Sequence, residues 1–194
     1  MRASQRLQAS THKIQLPLAA SHDAMPFMEV IFRRLSDRQY AIGLIRDGPR
    51  DVGGDVAMRL APGDTHVPHD LVHFIVEEQA ELTLGIFGQC AAGGDVGGFF
   101  RASGGKRGKA VQLKRSRRLG GAGRSDVGRS EELAGLARDG AISAQVDTAV
   151  VSAALREAIN KRLSEVLAQW NGVPVGDDLV LAWPTHLTIR RGQL

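Results

Sequence analysis

PHDLVHFIVEEQAELTLGIFG, residues 68–88, is the stretch whose spacing decides the fold. At helical spacing Leu71, Val72, Ile75, Val76 and Leu82 share one apolar arc, and His69, Asp70, His73, Glu77 and Glu81 gather on the other side. Pro68 suits the first position of a helix, where its missing N–H is no loss. Asp70 falls in the first turn, where the helix dipole favours an anion. The pattern predicts one helix across 68–88, with Gly85 and Gly88 as bend or stop points. Two imidazoles one turn apart, with acids beside them, are the one constellation here whose residue types suit chemistry.

Upstream, Glu29–Leu35 (EVIFRRL) and Gln39–Arg46 (QYAIGLIR) read as two strands joined by a turn at Ser36, Asp37 and Arg38. Asp55–Leu60 adds a third short strand, and Ala61–Val67 a loop. Residues 1–27 are basic, carry no acid before Asp23 and read as a disordered extension. Ordered texture begins at Met28, which suggests an initiation site there.

Downstream, the glycine-dense AAGGDVGGFFRASGG runs into a basic stretch containing Arg101, Lys106, Arg107, Lys109, Lys114, Arg115, Arg117 and Arg118. Apolar periodicity is absent, so a flexible excursion is expected from about 93 to 128. Ser130–Arg138 reads as a short helix capped by Ser130. The longest helical signal is Asp147–Trp170, ended by Asn171 and Gly172. Asp178–Trp183 (DLVLAW) reads as a last strand pairing back into the N-terminal sheet, and residues 185–194 as a tail.

The fold class that follows is α+β, in one domain over 28–184. A small antiparallel sheet, made of an N-terminal hairpin or meander plus the C-terminal strand, is covered by the 68–88 and 147–170 helices. A chain of 194 residues, 43% hydrophobic, can bury a core of this size, and with aromatics at 5% that core rests on aliphatic side chains.

The single cysteine, Cys90, excludes an internal disulfide framework and any Cys-only metal cluster. A reducing cytoplasm and a structural role for Cys90 are the natural readings. No apolar run approaches the roughly 20 residues a membrane-spanning helix needs. The formal charge of +4 favours weak contact with polyanions.

Three function classes remain. The first is a non-enzymatic domain whose polar helix face is structural or contacts a partner. The second is a divalent-metal protein, holding zinc or a similar ion, since imidazoles at i and i+4 can share one metal. Its ligands would come from His69, His73 and Glu77, with His66 and then Asp64 as outside candidates. Positions 69 and 77 lie ~12 Å apart along a helix, so one helix cannot supply all three comfortably. With His69, His73 and an outside carboxylate on the ion, Glu77 could serve as general base for hydrolysis. Asp70-Leu71-Val72 between the histidines rules out the HExxH protease pattern. The third is an accessory nucleic-acid binder, with Lys106, Arg107, Lys109, Lys114, Arg115, Arg117 and Arg118 neutralising phosphates. Phe99 and Phe100 are the only aromatics nearby, and no phosphate-loop, helix-turn-helix or zinc-finger spacing is present.

PHDLVHFIVE followed by GIFG resembles the P-H-D-L-x-H-[FY]-x-V-E and G-x-[FY]-G pattern of an uncharacterised family of small bacterial proteins. FRRLSDRQYAI and LAQWNGVPVGDDLVLAWP resemble the same family. The resemblance implies a fold outline over most of 28–184 and carries no activity. HDLVH also resembles the HDxxH opening of a ubiquinone-biosynthesis protein, whose later glutamate position is occupied here by Gly85.

Overall fold

The structure, a computed structural model, describes residues 27–47, 59–61, 66–96 and 105–189. Alternating β-branched and aromatic residues make β1 (Phe27–Ser36) and β2 (Gln39–Asp47) a hairpin in which Val30 faces Leu44 and Phe32 faces Ile42. β4 (Asp178–Ala182) joins the free edge of β1, with Leu181 opposite Val30 and Leu179 opposite Phe32. β3 (Arg59–Ala61) joins the edge of β2, giving an antiparallel sheet of order β3-β2-β1-β4. Period-two spacing therefore puts Met28, Val30, Phe32, Tyr40, Ile42, Leu44, Leu179 and Leu181 in one core.

Five helices complete the described architecture: α1 (His69–Gln79), α2 (Ile86–Ala91), α3 (Gly105–Ala122), α4 (Arg124–Ala137) and α5 (Ala153–Asn171). The α+β class and the pairing of the last strand with the N-terminal hairpin are as the sequence indicates. Arg34 and Arg46 stand at opposite ends of the sheet. Arg46 Nη1 donates to the carbonyls of Cys90 and Gly94, just where α2 ends. Arg34 donates to Val173 O at the end of α5, and its guanidinium lies 5.7 Å from the Trp170 ring.

Several expectations need correction. The single helix over 68–88 is two helices with a turn between them. Glu81 takes a left-handed conformation (φ 53°), Leu82 N–H bonds back to Glu77 O, and Glu81 N–H to Glu78 O. This is a Schellman ending with glutamate in the position glycine usually fills, so the sequence shows no stop signal there.

The flexible excursion over 93–128 is helical from Gly105 onward, through α3 and the start of α4. Lys, Arg, Gln, Leu and Ala are strong helix formers. The stripe α3 packs inward is mostly polar, which hides it from apolar periodicity. Arg115 Nη2 donates to Ala92 O, Ser116 Oγ accepts from Asp95 N, and Leu119 is buried with Leu84 and Ala92.

The helix expected from Ser130 begins six residues earlier, which moves Ser130 from a cap to a buried interior position. The helix expected from Asp147 begins at Ala153, where Ser152 Oγ caps Leu155 N. The expected tail starts with a 3-10 turn at Thr185–Leu187, and Leu187 is buried. The extension over 1–26, residues 55–58 of the third strand, Asp64, and Phe99 with Phe100 lie outside the described residues.

Candidate functional site

α1 is buried continuously from Leu71 to Glu77. Its apolar side meets the sheet and α5, as the arc of Leu71, Val72, Ile75 and Val76 requires. Its other side is covered by α4, whose buried positions Ser130, Leu133, Ala134 and Ala137 recur at three- and four-residue steps. His73 and Glu77, expected on a polar face, are thus enclosed between two helices, with Glu77 fully buried.

Glu77 is held by donors. Its Oε1 accepts from Ile86 N–H at 2.7 Å and from Ser130 Oγ–H at 2.8 Å, and its Oε2 accepts from Phe87 N–H at 2.8 Å. Ile86 and Phe87 are the first residues of α2, and the preceding residue, Gly85, has no side chain with which to cap that helix. The Glu77 carboxylate supplies the missing cap from another helix, with its charge at the favourable end of the α2 dipole. Gly85 is required for this, because a Cβ there would fall inside the Glu77 carboxyl group.

Ser130 links the cap to His73, whose Nδ1 lies 2.8 Å from Ser130 Oγ. When Glu77 is ionised the hydroxyl gives it its one proton, and His73 Nδ1–H is then the donor to Ser130. His73 Nε2 then carries the lone pair, 3.7 Å from Glu131 Oε2. The His69 ring stands edge-on to the His73 ring, with centroids 4.5 Å apart. Burial, followed by the neighbouring His69, lowers the His73 pKa against the pull of Glu131 and Asp70. Burial pushes Glu77 up to about 7, against the donors that favour its charge.

These two groups drive stability in opposite directions with pH. Glu77 has a raised folded pKa, so its contribution is full below 4.5 and lost as the pH rises through about 7. His73 has a lowered folded pKa, so its contribution is present above 6.5 and lost as the pH falls. Substitution should separate them. In His73→Gln, stability is expected to drop by about 3 kcal/mol between pH 4.5 and 8, the 1.36 kcal/mol per pKa unit applied to Glu77. In Glu77→Gln it is expected to drop instead on acidification below 6.5. Denaturant midpoints across that pH range check both slopes.

The remaining polar residues of α1 also tie it to its neighbours. Tyr40 Oη–H donates to Asp70 Oδ2 at 2.8 Å, joining β2 to α1. Arg162 of α5 pairs with Glu78 at 2.9 Å. Where the turn after α1 meets α4, Leu84 N–H donates to Asp126 Oδ2.

The expected site residues therefore do not all converge. His69 and His73 are adjacent, but Glu77 turns both carboxylate oxygens toward backbone and hydroxyl donors and away from a shared ion. Where a metal ligand or general base is expected, the structure has Glu77 as a fully enclosed carboxylate that accepts from three donors and caps α2. Among the described residues no three His, Cys, Asp or Glu side chains are placed to hold one metal ion. His66 is exposed, and Asp64 lies outside the described residues. The outside carboxylate that approaches the His73 imidazole is Glu131. Sequence reading missed both Ser130 and Glu131 in this role, although the 130/133/134/137 spacing marked Ser130 as facing inward.

Ser130, His73 and Glu77 have the composition of a hydrolytic triad without its order. The hydroxyl sits between imidazole and carboxylate, donates to the carboxylate, and is fully buried. Cys90 is equally enclosed, its thiol pushed up to about 12 by burial, in keeping with a structural role.

The basic residues occupy a different place. Lys109, Lys114, Arg117 and Arg118 are exposed along α3, whereas Arg115 turns inward to Ala92. Lys106 and Arg107 belong to the first turn of α3. No family model, curated protein or solved structure matches the chain. No helix among the described residues is long and apolar enough to cross a membrane.

Proposed function

We propose that this protein is a non-enzymatic, partner-binding domain of the cytoplasm, in which the polar residues of α1 serve the fold. The observation that carries this reading is the buried chain from His73 through Ser130 to Glu77, ending on the N-terminus of α2. Groups of this kind make an active site when a nucleophile or an open metal position faces solvent. Here the hydroxyl and the carboxylate are enclosed, and their bonds hold three helices in register. Among the described residues, the fold leaves outward the cationic arc of Lys109, Lys114, Arg117 and Arg118 on α3.

Ser130→Ala distinguishes this reading from the metal-hydrolase alternative. The variant leaves a buried carboxylate and a buried imidazole each short of one partner, and is expected to lower stability by about 2 kcal/mol. Elemental analysis of the purified protein, with His69→Ala beside it, is expected to show no stoichiometric divalent metal in either. Stoichiometric metal in the wild type, lost in His69→Ala, together with unchanged stability in Ser130→Ala, would overturn the proposal.

A further inference from the structure

We infer that the outward arc of α3 docks on the phosphate backbone of a nucleic-acid duplex. The inference rests on the partner-binding reading above and names the partner. Its starting point is the asymmetry of α3. One stripe is fixed to the body of the protein through Arg115, Ser116 and Leu119, and the opposite arc presents Lys109, Lys114, Arg117 and Arg118 to solvent. None of these four pairs with an acid of the described structure. The sequence offers none close by either, having no Asp or Glu between Asp95 and Asp126.

This is an unusual way to build a helix. Lys114 with Arg117, and Lys114 with Arg118, are like charges at i,i+3 and i,i+4, which oppose helix formation by a few tenths of a kcal/mol per pair. An anionic surface that touches several of these side chains removes the repulsion, so binding and helix stability reinforce one another. At 3.6 residues per turn, the four cations cover roughly half the circumference of the helix. A single small anion meets one or two such side chains. The two walls of a duplex groove, lined with phosphates and wide enough for a helix, meet all of them. Nothing on the arc selects bases: the only large apolar side chains there are the exposed Val111 and Leu113. The contact is therefore of the sequence-independent kind, made to phosphates.

The same two residues decide against an anionic membrane as the partner. They lie ~160° apart around the helix, so they form no continuous apolar face to enter the headgroup region.

The test is fluorescence anisotropy of a labelled duplex DNA, titrated with the full chain at several salt concentrations, against the triple variant Lys114→Gln, Arg117→Gln, Arg118→Gln. Four phosphate contacts give a slope of log affinity on log salt of about −3.6, and the variant is expected to be shallower by about 2.7 and to bind at least ~10-fold more weakly at low salt. Its thermal melting should be no lower than that of the wild type, because all three side chains are exposed and the substitution removes their mutual repulsion. Circular dichroism is expected to show added helicity when wild type meets the duplex. No duplex binding at low salt, or a slope unchanged in the variant, overturns the inference. Binding to phosphatidylserine vesicles without binding to the duplex overturns it in favour of a lipid surface. Any of these leaves the α1 reading standing, since that reading fails on the stability of Ser130→Ala instead.

Discussion

Replacing Glu77 with alanine is expected to destabilise the protein by about 3–5 kcal/mol, the largest effect of any single side chain on the polar side of α1. Two backbone N–H groups, of Ile86 and Phe87, lose their acceptor together, as does the Ser130 hydroxyl. Each buried donor left without a partner costs about 1–3 kcal/mol, and a cavity is added where the side chain was. The opposing gain is relief of a carboxylate that burial already pushes up to about 7. That gain is smaller than the sum of the orphaned donors, so the net sign is a loss. Glu77→Gln should fall between, since one amide oxygen can still accept while the amide nitrogen faces another N–H. Guanidinium unfolding of the three proteins at neutral pH checks the order.

The second large effect concerns a turn and two glycines on α4. A Cβ at Gly88 would lie closer than 3.0 Å to the backbone carbonyls of Thr83 and Leu82, which cannot rotate away as a flexible side chain can. Gly88→Ala is expected to destabilise by about 3 kcal/mol, at the upper end for overpacking. Gly128 and Gly135 have nothing within 4 Å of the same position, and both are interior to α4. Alanine at either should stabilise by about 0.5–1 kcal/mol, because a helical glycine gives up more backbone freedom than alanine. The opposite signs for one substitution type, measured by thermal unfolding, test how closely α2 packs on the turn that follows α1.

The elements that sequence disclosed best are those whose burial follows a simple period. β1, β2 and β4 alternate, and α5 repeats Ile159, Leu163, Val166 and Trp170 on one buried stripe. What remained hidden was built from polar groups. The stop at Glu81 uses a glutamate where glycine is the usual signal. The inward face of α3 reads Gln112, Arg115, Ser116 and Leu119, at helical spacing but without the hydrophobicity that makes such spacing visible. The candidate site shows the same division. The pattern of residues 68–88 placed His69 and His73 side by side, as the structure does. It could not show that α4 would close over His73 and Glu77, because the partner was the small, polar Ser130. A glutamate on an apparently exposed face thereby became the cap of a helix whose own N-cap residue, Gly85, has no side chain.

Amide hydrogen exchange at Ile86 and Phe87 tests the central claim most directly. If the Glu77 carboxylate holds the start of α2, both amides exchange slowly in the wild type. In Glu77→Gln, which keeps one acceptor oxygen, at least one of the two exchanges many-fold faster, while the amides in the middle of α5 keep their protection. Wild-type Ile86 and Phe87 exchanging at the rate of an open turn, or protection unaltered by Glu77→Gln, would contradict the account.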